Sequence, residues 1–285
     1  MKRLSLSGHN QEDAAAVAVE FLQEGGTVML PPAYPADPRI FVLGPHALQE
    51  STDGGATFVA RTPAGRNGAM SPAFSSGDPV IWVGFAPGWV YHDDTKAVTP
   101  LQMWPPPVAD HATYAFSPAW PADDRVLLGG WNAGSDGPQS ATVSLCEASQ
   151  CRMPSLLPGA MGSPELLTLP SFQTTGTAVA WSGDKLYRTE NGGRSFRLRV
   201  LPAPGKVSSI VATPDDRLYM AMADVTLGGP IGGLYVSDDR GDTWRELGDG
   251  TRLDKGVASV AALPNGNLLA AIHMAAGGGL LCSSD

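Results

Sequence analysis

The chain has 285 residues, of which 43% are hydrophobic, and its 28 acidic against 19 basic side chains give a formal net charge of −9. Such a surface repels duplex nucleic acid and anionic membranes, and no apolar run approaches the roughly 18 residues of a membrane helix, so neither nucleic-acid binding nor membrane insertion is expected. With 34 Gly and 25 Pro, the composition fits many short strands joined by turns around a large core, and not a disordered chain.

The chain opens with MKRLSLSGHNQEDAAA, which has basic residues but no apolar stretch of signal-peptide length. A cytoplasmic location is expected if Met1 is the native start; the alternative is a mature segment carrying an added Met. Next comes Ala15 to Gly25 (AVAVEFLQEGG), which reads either as a strand or as part of a helix from Asp13 to Glu24 ended by Gly25. In the helical case Lys2 to Ser7 (KRLSLS) becomes the candidate strand.

Beyond residue 27, six strand-like segments each carry a proline at a corresponding place: Pro32, Pro72, Pro118, Pro170, Pro214 and Pro264, spaced by 40, 46, 52, 44 and 50 residues. A second register comes from an octapeptide, S-x-D-x-G-x-T-W, written most fully at Ser237 to Trp244 (SDDRGDTW). Ser51 to Phe58 (STDGGATF) and Thr189 to Phe196 (TENGGRSF) repeat it, and degenerate copies begin at His92, Cys146 and Ser283. Its starts are spaced by 41, 54, 43, 48 and 46 residues. Both registers have a mean period of about 46, that of four-stranded propeller blades. The fifth copy shows the plan: SSIVAT, turn PDD, RLYMAMA, a glycine-rich loop, LYVS, the octapeptide, then TWRELG. Alternation at Leu218, Met220 and Met222 marks a strand with one buried face. The sixth copy stops at Asp285 before its outer strand, which the N-terminal region is expected to supply. The expected architecture is therefore a single all-β propeller domain of about six four-stranded blades, with repeats starting near 28, 68, 112, 165, 207 and 257, and residues 1–27 closing the ring.

The octapeptide resembles the Asp-box, or BNR repeat, of sialidase-like and sortilin-like β-propellers and of photosystem assembly factors. That resemblance implies that the boxes and the turns between first and second strands lie on one face, with the remaining loops on the other. Asp53, Asn191 and Asp239 are then structural turn residues: the side chain accepts hydrogen bonds from following amides while Gly takes φ > 0. Cys146 and Cys151 occupy box positions one and six of the third repeat, and a disulfide there would staple the same turn; it would favour an extracellular or periplasmic location.

A sialidase would need three arginines gripping a carboxylate. Arg39, Arg125 and Arg217 all follow an acidic turn (ADPR, ADDR, PDDR), which makes them one repeated position, expected to pair locally with Asp37, Asp123 or Asp215. The FRIP segment of sialidases is also missing. On the opposite face the loops present His46, Arg66, Trp89, His111, Trp131, Asn132, Lys185 and His273, together with Asp136, Asp184 and Asp224. Flat aromatic rings beside polar groups suit a sugar or peptide. His46, His111 and His273 lack ligand spacing, so no metal is expected, and no glycine loop or nucleophile elbow calls for a cofactor. The expectation is a monomeric, non-enzymatic binding or scaffold module for a glycan, peptide or protein. The rival is a glycoside hydrolase or lyase of sialidase-like type, with Asp136, Asp184 or Asp224 as acid or base.

Overall fold

The computed structural model describes residues 2–3, 27–62, 64–65, 67–84, 88–101, 112–132, 140–147, 150–224, 231–248, 253, 256–263, 266–272 and 278–283. Two compact units divide the chain, Ser7–Pro154 and Ser155–Asp285, the latter including Met1–Leu6 and so the first strand, β1 (Lys2–Arg3).

The Ser7–Pro154 unit holds three antiparallel sheets with strands in sequence order. Blade one is β2 (Thr27–Met29), β3 (Ile40–Leu43), β4 (Leu48–Ser51) and β5 (Val59–Arg61). Blade two is β6 (Asn67–Met70), β7 (Val80–Gly84), β8 (Trp89–His92) and β9 (Ala97–Pro100). Blade three is β10 (Ala112–Phe116), β11 (Arg125–Asn132), β12 (Ser140–Glu147) and the two-residue β13 (Gln150–Cys151).

The second unit begins with β14 (Ser155–Leu157) and continues into blade four: β15 (Glu165–Thr168), a one-turn helix α1 (Phe172–Thr175), β16 (Ala178–Ser182), β17 (Lys185–Thr189) and β18 (Arg197–Arg199). Blade five is β19 (Val207–Ala212), β20 (Leu218–Asp224), β21 (Ile231–Ser237) and β22 (Arg245–Glu246). Blade six is β23 (Val257–Ala262), β24 (Leu268–Ile272) and β25 (Gly279–Cys282), with β1 as its fourth strand. Lys2 pairs with Cys282 and Arg3 with Leu281. Of the two N-terminal segments that competed for this place, the observed strand thus lies at Lys2–Arg3; Ala15 to Gly25 is outside the described residues. The fold is an all-β, six-bladed propeller.

Within each unit the second strand of the middle blade is sandwiched between the neighbouring sheets, β7 of blade two between blades one and three and β20 of blade five between blades four and six, which explains why such strands read as apolar runs. Val80, Ile81, Trp82 and Val83 are all buried, as are Phe41, Val42 and Leu43. The core is consequently a set of blade-to-blade layers. Met29, Phe41, Leu43 and Leu48 of blade one meet Phe74, Ile81, Val83 and Tyr91 of blade two. Trp82 then packs edge-on against Tyr114, Phe116 and Trp120, with centroids 5.6, 4.9 and 5.5 Å away. In the other unit, Val179, Trp181 and Leu186 of blade four meet Leu218, Met220 and Met222 of blade five. At roughly 1.5–3 kcal/mol per large buried side chain, these layers supply the main favourable term in folding.

Candidate functional site

In blades one to five the first-to-second and third-to-fourth connections share one end of the sheet, and the second-to-third connection lies at the other. The first end is tightly cross-linked by its own side chains. In the corner after β21, Asp239 Oδ1 accepts the Ser237 hydroxyl at 2.8 Å and the Thr243 amide at 2.8 Å, while Oδ2 accepts the Thr243 hydroxyl at 2.6 Å. Ser237 Oγ in turn accepts the Gly241 amide at 2.7 Å. Asp53 makes the same contacts with Ser51 and Thr57 at 2.8, 2.9 and 2.6 Å. In the corner after β17, Asn191 Oδ1 accepts from Thr189 and from the Ser195 amide, and its Nδ2 donates to Ser195 Oγ at 2.8 Å. Gly241 takes φ +86, and a Cβ there would meet the Leu218 side chain at 3.3 Å, so the chain turns tightly onto the core. These hydrogen bonds stabilise the ionised carboxylates, holding Asp53 and Asp239 down at about 2; for Asp53 the Thr57 hydroxyl is the largest cause. For Asp239 desolvation, the largest single influence, pulls the other way and is outweighed by Thr243 and Ser237.

The degenerate corners use other means. Cys146 and Cys151, cross-strand partners on β12 and β13, are joined by a disulfide, and Cys146 is buried in the layer between blades two and three. After β8, Asp93, at the second box position, is buried and ion-paired to Lys96 at 2.6 Å and to Arg39 of blade one. Lys96 also reaches back to Glu50 of blade one at 2.8 Å, and Glu50, 2% exposed, binds Arg61 at 2.8 Å. Three cations thus neutralise Asp37, Glu50 and Asp93 across one blade interface, and Arg39 additionally lies 4.8 Å over the Phe74 ring. Despite burial, which would raise it, the Glu50 carboxyl is held below its ordinary range by the Lys96 and Arg61 hydrogen bonds.

The three repeated arginines divide. Arg39 pairs with its turn acid, Asp37. Arg125 instead reaches Glu147 at 3.2 Å and Arg217 reaches Asp238 at 2.6 Å, which corrects the expectation of purely local partners. Register gives the reason: Arg125 lies directly opposite Glu147, and Arg217 precedes the Leu218–Ser237 pair. The turn acids have closer donors, Ser117 on Asp123 at 2.6 Å and Thr213 on Asp215 at 2.5 Å.

At the opposite end of the Ser7–Pro154 unit, His46 is exposed in the short connection between β3 and β4. Trp89 opens β8 half-buried, with part of its side chain packed on the blade one–two layer alongside Met70 and Val98. Trp131, also half-buried, is the seventh residue of β11, held by pairing that runs along all eight residues of β12. Just behind Trp89, a Cβ on Gly88 would come within 2.6 Å of the Tyr114 hydroxyl; that hydroxyl is buried with no partner among the described residues. In the other unit Lys185 pairs with Asp184 at 2.9 Å on the tight turn after β16, and Lys206 lies 3.9 Å from the buried Asp224. Arg66, His111, Asp136, His273 and the side chain of Asn132 lie outside the described residues.

One residue at this end was not among the sequence candidates. Glu165 opens β15 opposite Trp181; solvent reaches it, yet surrounding atoms are dense enough that burial pushes its carboxyl above the ordinary range. Its only sequence signal is a single acid leading the otherwise apolar strand ELLT.

Neither a family model nor a curated protein matches this chain. Solved structures do match in fold. An ancestral GH74 enzyme aligns with TM-score 0.65 at 14% identity, over 87% of this chain and 35% of its own. The extracellular domain of a one-component system, BT4673, from B. thetaiotaomicron aligns with TM-score 0.59 at 11% identity, over 91% and 32%. YCF48 bound to D1 peptide aligns with TM-score 0.53 at 20% identity, over 87% and 74%. The chain therefore spans only about a third of the length of the first two, 32% and 35%. The propeller fold is shared with both binding domains and enzymes.

Proposed function

We propose that the protein is a non-enzymatic binding or scaffold propeller, in which the strand-end loops opposite the Asp-box corners recognise a peptide, protein or glycan. The observation that carries this reading is Trp131: a half-buried indole near the end of a fully paired eight-residue strand. A rigid strand presents a flat apolar ring at small cost in side-chain entropy, which is what an anchor for a peptide side chain or a sugar face requires. Trp89 and His46 of the same unit extend the surface. In the other unit Asp184 and Asp224 each lie beside a lysine, ion pairs whose polar atoms suit holding a ligand's polar groups. The peptide carried by YCF48 adds a precedent for ligand binding on this fold, without identifying the ligand here.

A second reading rests on Glu165. The fold is shared with a GH74 enzyme, and Glu165, at the head of β15 on the loop end, is the carboxyl to test as a general acid. One experiment separates the two: a panel of immobilised peptides and oligosaccharides screened with wild type, Trp131→Ala and Glu165→Gln, scoring both retention and reducing-end release. The binding reading predicts retention that Trp131→Ala weakens about tenfold or more and Glu165→Gln leaves intact. Turnover abolished by Glu165→Gln would replace it with the glycosidase. Trp89→Ala is less informative, because that ring also supports the core.

A further inference from the structure

We infer that the free edge of blade four is a second docking surface, where an extended peptide alternating apolar and acidic residues adds as a fifth strand. β18 is the terminal strand of its sheet: it pairs with β17 on one side, and among the described residues no strand follows it in the sheet. The strand and the residue after it, Arg197-Leu198-Arg199-Val200, alternate strictly. Adjacent side chains on a strand point to opposite faces, so β18 offers an apolar face and a cationic one.

The apolar face is open. Leu198 is 55% exposed and Val200 89% exposed, far more than the blade interfaces leave to their own leucines and valines. Leu198 lies opposite Tyr187, whose hydroxyl donates to the Pro158 carbonyl at 2.8 Å, so the segment before blade four runs along this same face.

The cationic face is under-neutralised. Arg188, Arg197 and Arg199 share it, since Arg188 lies opposite Arg197 and Arg199 opposite Leu186. Their partners are Glu190, 2.9 Å from Arg188, and Asp242, whose Oδ1 is 3.4 Å from Arg188 and 3.3 Å from Arg199. Three guanidinium groups therefore meet two carboxylates, and the Nε–H donors of Arg188 and Arg199 are buried with no partner among the described residues. On a chain of net charge −9, this local excess selects an acidic partner against the general field.

The other edges differ in ways that disfavour the same use. Pro100 ends β9, and a proline removes a ladder donor. β22 is only two residues long and carries both charge signs, Arg245 and Glu246. On β5, Arg61 is committed to Glu50. β18 alone among these combines one charge sign with an open apolar face, which fits β-strand addition, in which backbone hydrogen bonds give affinity and alternate side chains give specificity.

The test uses the full chain and two capped heptapeptides, one alternating Glu and Val, the other Lys and Val. Fluorescence anisotropy should show the Glu–Val peptide binding at least tenfold tighter, with hydrogen exchange slowed at residues 197–200. The exposed double change Leu198→Asp with Val200→Asp should weaken it about tenfold, and Arg197→Glu should reverse the peptide preference, both with unchanged melting temperature. Trp131→Ala should leave this binding unaltered, which separates it from the loop surface. Equal affinity for the two peptides, no Glu–Val binding at about 1 mM, or slowed exchange at another edge would overturn the proposal.

Discussion

Replacing Asp239 by Asn and by Ala tests whether the corner carboxylates are structural. The carboxylate accepts from Ser237, Asp242 and Thr243, with Thr243 contributing both its amide and its hydroxyl. Its fall from an ordinary value near 3.8 to about 2 would correspond to about 2.4 kcal/mol in a site sealed from water. The side chain is exposed, and solvent screening reduces the contribution to about 1 kcal/mol. Because the folded-state value is depressed, this stability is present above the unfolded value and is lost as pH falls through the folded one. An amide in place of this carboxylate should retain the turn, as Asn191 does with its own amide donating to Ser195. Asp239→Asn should therefore be about 1 kcal/mol less stable than wild type at pH 7, and the gap should close between about pH 4 and pH 2. Asp239→Ala, which removes every acceptor, should cost about 2 kcal/mol at pH 7 and stay below wild type at pH 2. Urea midpoints of the three proteins at several pH values provide the readout. An Asn variant as unstable as the Ala variant, or a gap that does not change with pH, would refute the reasoning.

Two further outcomes concern the ion-pair network between blades one and two and the disulfide of blade three. Glu50→Gln leaves Lys96 and Arg61 facing a neutral amide; because both cations are partly solvated, the loss should be about 2 kcal/mol, below the roughly 3–5 kcal/mol of a sealed pair, and calorimetry should show a melting temperature several degrees lower. A change below about 0.5 kcal/mol would show that the network contributes little. Reducing Cys146–Cys151, five residues apart in sequence, should lower stability by about 2 kcal/mol through loop-closure entropy, with Cys151→Ser behaving alike, and an unaltered urea midpoint after reduction would contradict that.

The six-blade plan is legible in the sequence because it is periodic and local. Each proline and each octapeptide recurs once per blade, and a turn such as Ser237 to Trp244 is completed by residues at most a few positions apart. What escapes is contact between blades. Nothing in LQES marks Glu50 as a buried acid, since its partner Lys96 arrives from the next blade, 46 residues later. Trp120 looks like another core indole until its Nε1 is found donating to Asp78 at 2.6 Å, 42 residues back. Arg125 and Arg217 are misassigned by sequence proximity for a related reason: a strand's opposite neighbour outcompetes a turn acid already occupied by hydroxyls. At the candidate site, Trp89 and Trp131 are recognisable as aromatic residues near loops, but only the fold shows that one also supports the core and the other caps a long strand. Glu165 escapes because its raised carboxyl depends on three-dimensional crowding, which a strand-opening acid does not announce.

The proposed binding role is tested most directly by locating where a ligand recovered from the peptide and oligosaccharide screen touches the protein. Hydrogen exchange of the full chain, with and without that ligand, should show slowed exchange at residues 44–47, at 88–90 and at 130–132, and no change at the corners 52–57, 190–196 and 238–244. Slowed exchange confined to those corners would contradict the assignment of recognition to the opposite loops.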